Sequence, residues 1–196
     1  SSALEGAILF SKHLSTEEEL KKTLCKLEIT NKELQNLSLR DELTGLYNRR
    51  AFLTLGEQHL RLAQRTQKMF LLFFADMDGL KTINDTYGHG EGDVAITKSA
   101  EILKKSFRQA DIIARFGGDE FTIIAIDAGT EDIRILRNNL KKNIDAYNQT
   151  AKKPYRLEIS IGVSTCYGTP DVTFQELLTS ADSRLYKEKN ARHSVS

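Results

Sequence analysis

Residues 112–126 read IIARFGGDEFTIIAI, two apolar runs separated only by Gly117–Glu120. A connection that short cannot carry the chain to a parallel neighbour, so IIARF and FTIIAI must form an antiparallel hairpin. The strands are apolar enough to be buried, yet the turn between them places two carboxylates side by side, Asp119 and Glu120. Taken alone, Gly-Gly-Asp-Glu reads either as a hydrophilic turn or as a pair of acids held at a sheet rim to bind something cationic.

A second acidic strand end occurs earlier. MFLLFFA, residues 69–75, runs directly into Asp76 and Asp78. Such an end presents its acids with protein core behind and solvent in front. Like charges brought together at intermediate dielectric repel by several kcal/mol, so the two ends are compatible as neighbours only if a cation joins them. Oxygen donors at Asp76, Asp119 and Glu120, without His or Cys, point to Mg²⁺, with Mn²⁺ as the alternative. The paired glycines allow backbone and substrate to come close.

Around these ends the pattern alternates. It predicts helices at 49–66, 92–107, 131–149 and 173–190, and strands at 69–76, 112–116, 121–127 and 156–163. An α+β fold follows, a sheet covered by helices. Upstream, Leu20, Leu24, Leu27, Asn31 and Leu34 repeat at spacings of four and three. That seam predicts a parallel two-stranded coiled coil, or else a single amphipathic helix. Residues 4–10, LEGAILF, read as a strand. The net charge of +1 gives no basic field to attract nucleic acid. The run MFLLFFA falls far short of the roughly 20 residues of a membrane helix, so no membrane span is expected. Two widely separated cysteines, Cys25 and Cys166, suggest neither disulfide nor zinc site, and a reducing cytoplasm fits.

The run RFGGDEF (115–121), preceded by DELTGLYNRR (41–50) and DMDGLKTINDTYGHGEGD (76–93), resembles the GGDEF family of diguanylate cyclases over about residues 38–193. The resemblance implies a palm-like, mostly antiparallel sheet and the condensation of two GTP into cyclic di-GMP and two pyrophosphates. It implies metal ligation by Asp76, Asp119 and the main-chain carbonyl of Met77, with Glu120 supporting the cluster. Asp119 is then also the candidate for receiving the 3′-hydroxyl proton. Asn84 and Asp93 match the pair that reads the guanine edge, a contact that adenine cannot supply. Lys81 matches a phosphate-contacting lysine, and Gly79 and Leu80 match the backbone turn that cradles phosphates. The family's end motif, which clamps phosphate, appears as YKEKNARHS (186–194): Lys189 keeps its place, His193 stands at the usual Arg position, and Arg192, the remaining candidate for the clamp, falls one residue early. Leu80 stands where Phe is more usual, a change read as packing.

Each domain of this family holds one GTP, so two copies must face each other. The N-terminal seam gives a reason for a homodimer, since tethering raises effective concentration to roughly the millimolar range. The strand at 4–10 resembles the last strand of a PAS sensor. The expected organisation is thus a PAS-like remnant at 1–15, a coiled-coil signalling helix at 16–40 and a cyclase domain at 41–196. Arg108 and Asp111, in RQAD, match the family's RxxD inhibitory site for cyclic di-GMP. Two other functions compete: a catalytically silent module that binds GTP or cyclic di-GMP and signals to a partner, and a cyclase making a mixed or adenine dinucleotide. The intact Asp76, Asp119 and Glu120 oppose the first, and Asp93 opposes the second.

Overall fold

The computed structural model describes residues 17, 19–24, 26 and 39–193, so the strand expected at 4–10 and the seam positions Leu27, Asn31 and Leu34 lie outside the described residues. The chain divides into two units, Ser1–Leu39 and Arg40–Ser196. In the first, residues 19–24 are helical and Leu20 and Leu24 are exposed.

In the second unit the order is β1 (Tyr47–Asn48), α1 (Arg49–Thr66), β2 (Phe70–Met77), α2 (Leu80–Tyr87), α3 (His89–Ser106), β3 (Ile112–Gly117), β4 (Glu120–Ile126), α4 (Asp132–Thr150), β5 (Ile159–Cys166) and α5 (Phe174–His193). The five strands form one sheet in the order β1-β3-β4-β2-β5. All pairings are antiparallel except the short β1·β3 contact. This is the palm-like α+β architecture. Among the described residues no helix is long and apolar enough to cross a membrane.

The unbroken apolar run of β2 has a physical reason. Its alternate side chains feed two different cores, because both sheet faces are covered. Leu71, Phe73, Ala75 and Met77 join the cluster built with α3 and α4, including Leu103, Leu136 and Leu140. Phe70, Leu72 and Phe74 join Phe52, Leu60, Leu177 and Leu185 of α1 and α5. Full burial of such side chains stabilises by roughly 1.5–3 kcal/mol each, so β2 is held rigidly between its neighbours. Helix α1 starts where Asn48 accepts a hydrogen bond from the Ala51 N–H (2.9 Å), a side-chain cap for an otherwise unpaired donor.

Helix α5 lies hard against β5. A methyl group added at Gly162 would sit 2.0 Å from the Ala181 carbonyl oxygen and 2.3 Å from the Leu185 nitrogen. The outer edge of β5 is closed by side chains rather than by another strand. The Asn148 amide pairs with both the N–H and C=O of Leu157 (2.8 Å each), while Arg137 donates to the Ile161 carbonyl (2.9 Å) and Arg184 to that of Val163 (2.5 Å). The Asn148 contact explains why the strand expected from residue 156 begins at Ile159. Two elements escaped the sequence reading: the two-residue β1 and the helix α2. The helix expected at 92–107 begins three residues earlier, at His89.

Candidate functional site

Both acidic ends arrive at one rim because β2 and β4 pair in register. Asp76 lies opposite Glu120 on one side and opposite Ser160 of β5 on the other. The hairpin turn is fixed twice. The Met77 N–H donates to the Asp119 carbonyl (3.0 Å), and Arg115 donates to the Gly118 carbonyl (2.9 Å) while its guanidinium pairs with Asp41 (3.2 Å). Gly118 takes φ +33°, a value that favours glycine. The DELTG segment thus contributes directly to the rim, since its Asp41 is the far anchor of the arginine that holds the acidic turn.

The rim carries excess negative charge. The Lys189 ammonium, reaching from α5, stands 2.5 Å from Asp76 and 3.7 Å from Asp78. An ion pair of this kind ordinarily pulls its acid down. Here burial, joined by the Asp119 and Asp78 charges, outweighs Lys189 and holds the Asp76 carboxyl above its usual value. Glu120 is likewise held up by burial and by Asp76, Asp119 and Asp182, with Arg49 opposing. For Lys189, burial works against the charged form, but the Asp76 hydrogen bond and the surrounding acids prevail and raise it. One lysine does not neutralise the cluster.

The donor set fits a hard divalent cation: carboxylates and a main-chain carbonyl, with neither imidazole nor thiolate. Among the described residues no three acidic, His or Cys side chains are grouped closely enough to cage a metal by themselves.

Beyond Met77 the chain turns through Gly79, φ +76°, into α2. No side chain caps this helix, and a Cβ on Gly79 would meet nothing within 4 Å, so its backbone conformation, not crowding, favours glycine there. The first N–H groups of α2, beginning at Leu80, have no partner within the helix, and Lys81 beside them is exposed. Asn84 is brought to the start of α3: a Cβ on Gly92 would sit 1.9 Å from the Asn84 Oδ1. Asp93, next along, is exposed. Glu91 anchors this turn by accepting from Lys153 (2.5 Å) and Tyr155 (2.6 Å), which together lower its carboxyl's proton affinity.

Arg108 and Asp111 lie elsewhere, at the end of the hairpin remote from its turn. Over the six residues of β3 the separation is roughly 20 Å. Asp111 accepts the N–H of Arg108 (2.7 Å) and of Ile126 (3.0 Å). The Arg108 side chain is exposed and borders two cavities, of about 90 and 420 Å³. The side chains of Arg192 and His193 lie outside the described residues.

Sequence reasoning missed several participants. Ser160, fully buried, donates to Asp78 (2.7 Å), and its signal was a hydroxyl on a strand otherwise apolar at that end. Arg115, Asp182 and Arg49 carried no local signal.

Residues 38–194 match the family described as "Diguanylate cyclase, GGDEF domain". The bifunctional diguanylate cyclase/cyclic di-GMP phosphodiesterase MucR of Pseudomonas aeruginosa is 36% identical over 160 residues, 82% of this chain and 23% of the relative. The probable diguanylate cyclase DgcC of Escherichia coli (strain K12) is 35% identical over 170 residues, 86% of this chain and 45% of the relative. The chain therefore spans less than half the length of these relatives. Among solved structures, diguanylate cyclase SiaD of Pseudomonas aeruginosa, in complex with its activator SiaC, superposes with TM-score 0.72 at 25% identity, covering 97% of this chain and 78% of that one. A microbial GGDEF domain described with cyclic di-GMP gives TM-score 0.65 at 31% identity, covering 78% and 94%.

Proposed function

The chain belongs to the GGDEF domain family, and from that premise we propose that it is an active diguanylate cyclase, condensing two GTP into cyclic di-GMP with release of two pyrophosphates. The carrying observation is the rim itself, where Asp76 keeps a raised proton affinity despite the Lys189 ammonium 2.5 Å away. Such a site is built for more positive charge than the chain supplies.

Asp76, Asp119 and the Met77 carbonyl, with Glu120 beside them, would hold Mg²⁺ or Mn²⁺, which would supply charge neutralisation on the triphosphate and polarisation of its α-phosphorus. Asp119 receives the proton of the attacking 3′-hydroxyl. The N–H groups from Gly79 and Leu80, with Lys81, hold phosphate oxygens, and Lys189 turns from Asp76 toward the same triphosphate, with Arg192 in its neighbourhood. Asp93 accepts from guanine N1–H and the 2-amino group, while Asn84 pairs with the purine edge. Catalysis on this reading is positioning and electrostatics. Each 3′-oxygen attacks the α-phosphorus of the other nucleotide, so two chains face each other about a two-fold axis. We assign that pairing to a coiled coil at residues 16–40, downstream of a PAS-like remnant at 1–15 and ahead of the cyclase domain at 41–196. Arg108, exposed and set by Asp111, binds cyclic di-GMP as a feedback site. GTP as substrate places the reaction in the cytoplasm.

The test is product analysis by chromatography and mass spectrometry after incubation with GTP, ATP or both, with Mg²⁺, beside Asp119→Ala. Cyclic di-GMP from GTP alone, absent in the variant, is the expected result. Binding of GTP or cyclic di-GMP without product would replace the enzyme by a receptor.

A further inference from the structure

The packing of α5 poses a problem for the site. Its buried apolar residues, Phe174, Leu177, Leu178, Ala181 and Leu185, end one turn short of Lys189. Beyond Leu185 no buried apolar side chain among the described residues holds the helix to the sheet. The turn that delivers Lys189 to Asp76 is therefore set by polar contacts.

A side chain from another element helps bridge that turn to the sheet. Arg137, on α4, donates through one guanidinium nitrogen to Glu188 (2.6 Å) and through the other to the Ile161 carbonyl at the edge of β5 (2.9 Å). Glu188 also stands 3.5 Å from the Ile161 nitrogen. A planar guanidinium can hold a helix carboxylate and a strand carbonyl at once, whereas a lysine offers a single point charge. Glu188 and Lys189 are consecutive, about 100° apart around the helix. Fixing one against the strand edge fixes the direction of the other, toward the strand ends.

We propose that Arg137 is a positioning residue for the cyclase site: by tying Glu188 to the edge of β5 it sets the helical register from which Lys189 reaches Asp76 and, with nucleotide bound, the triphosphate. This rests on the cyclase reading above. Without the guanidinium, the last turns of α5 lose one of their ties to β5, and Glu188 loses the cation that draws it toward the strand edge.

The experiment is a cycle of the intact chain, Arg137→Met, Lys189→Met and the double variant. It measures affinity for a non-hydrolysable GTP analogue by calorimetry and urea unfolding midpoints. In the otherwise native background, Arg137→Met should weaken analogue binding roughly tenfold, as misplacement remote from the chemistry does. In the Lys189→Met background it should cost less than about twofold, because the group it positions is gone. Arg137→Lys, which keeps the charge but not the fork, should fall between. An equal loss in both backgrounds, or no loss in the native one, overturns the proposal. If the unaltered chain neither binds the analogue nor forms cyclic di-GMP, the cyclase reading fails by itself. The Arg137–Lys189 link is then judged on the unfolding midpoints, where non-additive shifts support it and additive shifts overturn it.

Discussion

At one end of the sheet Asp76 looks across the ladder at Glu120, with Asp119 near enough to raise its proton affinity. At the other end Asp111 receives the backbone N–H groups of Arg108 and Ile126 within 3.0 Å. Both are aspartates at strand ends. The first is held among like charges that folding has not neutralised, and the second has its charge spread over donors that it satisfies in return. A carboxylate in the first condition costs stability, while one in the second contributes stability by closing a turn. Of the RQAD pair, then, Asp111 shapes the turn, while the Arg108 side chain is exposed.

The most forceful way to break this contrast is at the rim. Asp119→Asn should lower cyclic di-GMP formation by roughly two to three orders of magnitude, with an unfolding midpoint no lower than that of the unaltered chain. A clear loss of stability would mean that the rim acids are structural after all.

At the opposite end, Asp111→Ala leaves two N–H groups without their partner and should destabilise by about 1–3 kcal/mol in urea. It should also abolish product inhibition. Arg108→Ala sharpens the distinction: it should relieve inhibition equally while changing stability by less than about 0.5 kcal/mol. Equal destabilisation by the two variants would erase the division of labour between them.

The smallest effect concerns Glu120. Burial and the charges of Asp76 and Asp119 hold its carboxyl above the ordinary value, so the folded chain binds that proton more tightly than the unfolded chain. The penalty of the carboxylate is complete above the raised value and fades as pH falls through it toward the ordinary one. Glu120→Gln should therefore be more stable than the unaltered chain near neutrality, by less than about 1 kcal/mol because the group is partly solvated. The advantage should vanish in acid. A difference independent of pH between about 4 and 8 would assign the gain to packing.

How much of this was written in the sequence depends on the range of the interaction. The hairpin and the buried strand β2 were legible because short connections and apolar runs are local signals. The helix α2 was not: it has eight residues, a glycine cap without a side-chain bond and one buried residue, Ile83. The start of β5 was misplaced because Leu157 gives its N–H and C=O to Asn148, a helix side chain that no strand pattern reveals. At the site, Asp76, Asp119 and Glu120 stood out as acids ending apolar strands. Ser160 on Asp78, Arg115 on Asp41 and Arg137 on Glu188 pair groups distant in the chain, and only the folded arrangement brings them together.

The closed margin of β5 bears on how copies of this chain can associate. An exposed strand margin is a template for another backbone, and proteins that meet at high local concentration risk joining there as continuous fibrillar sheets. With Asn148, Arg137 and Arg184 occupying outward-facing groups of Leu157, Ile161 and Val163, that route is obstructed. The chain is thereby shielded from edge-to-edge joining along this margin.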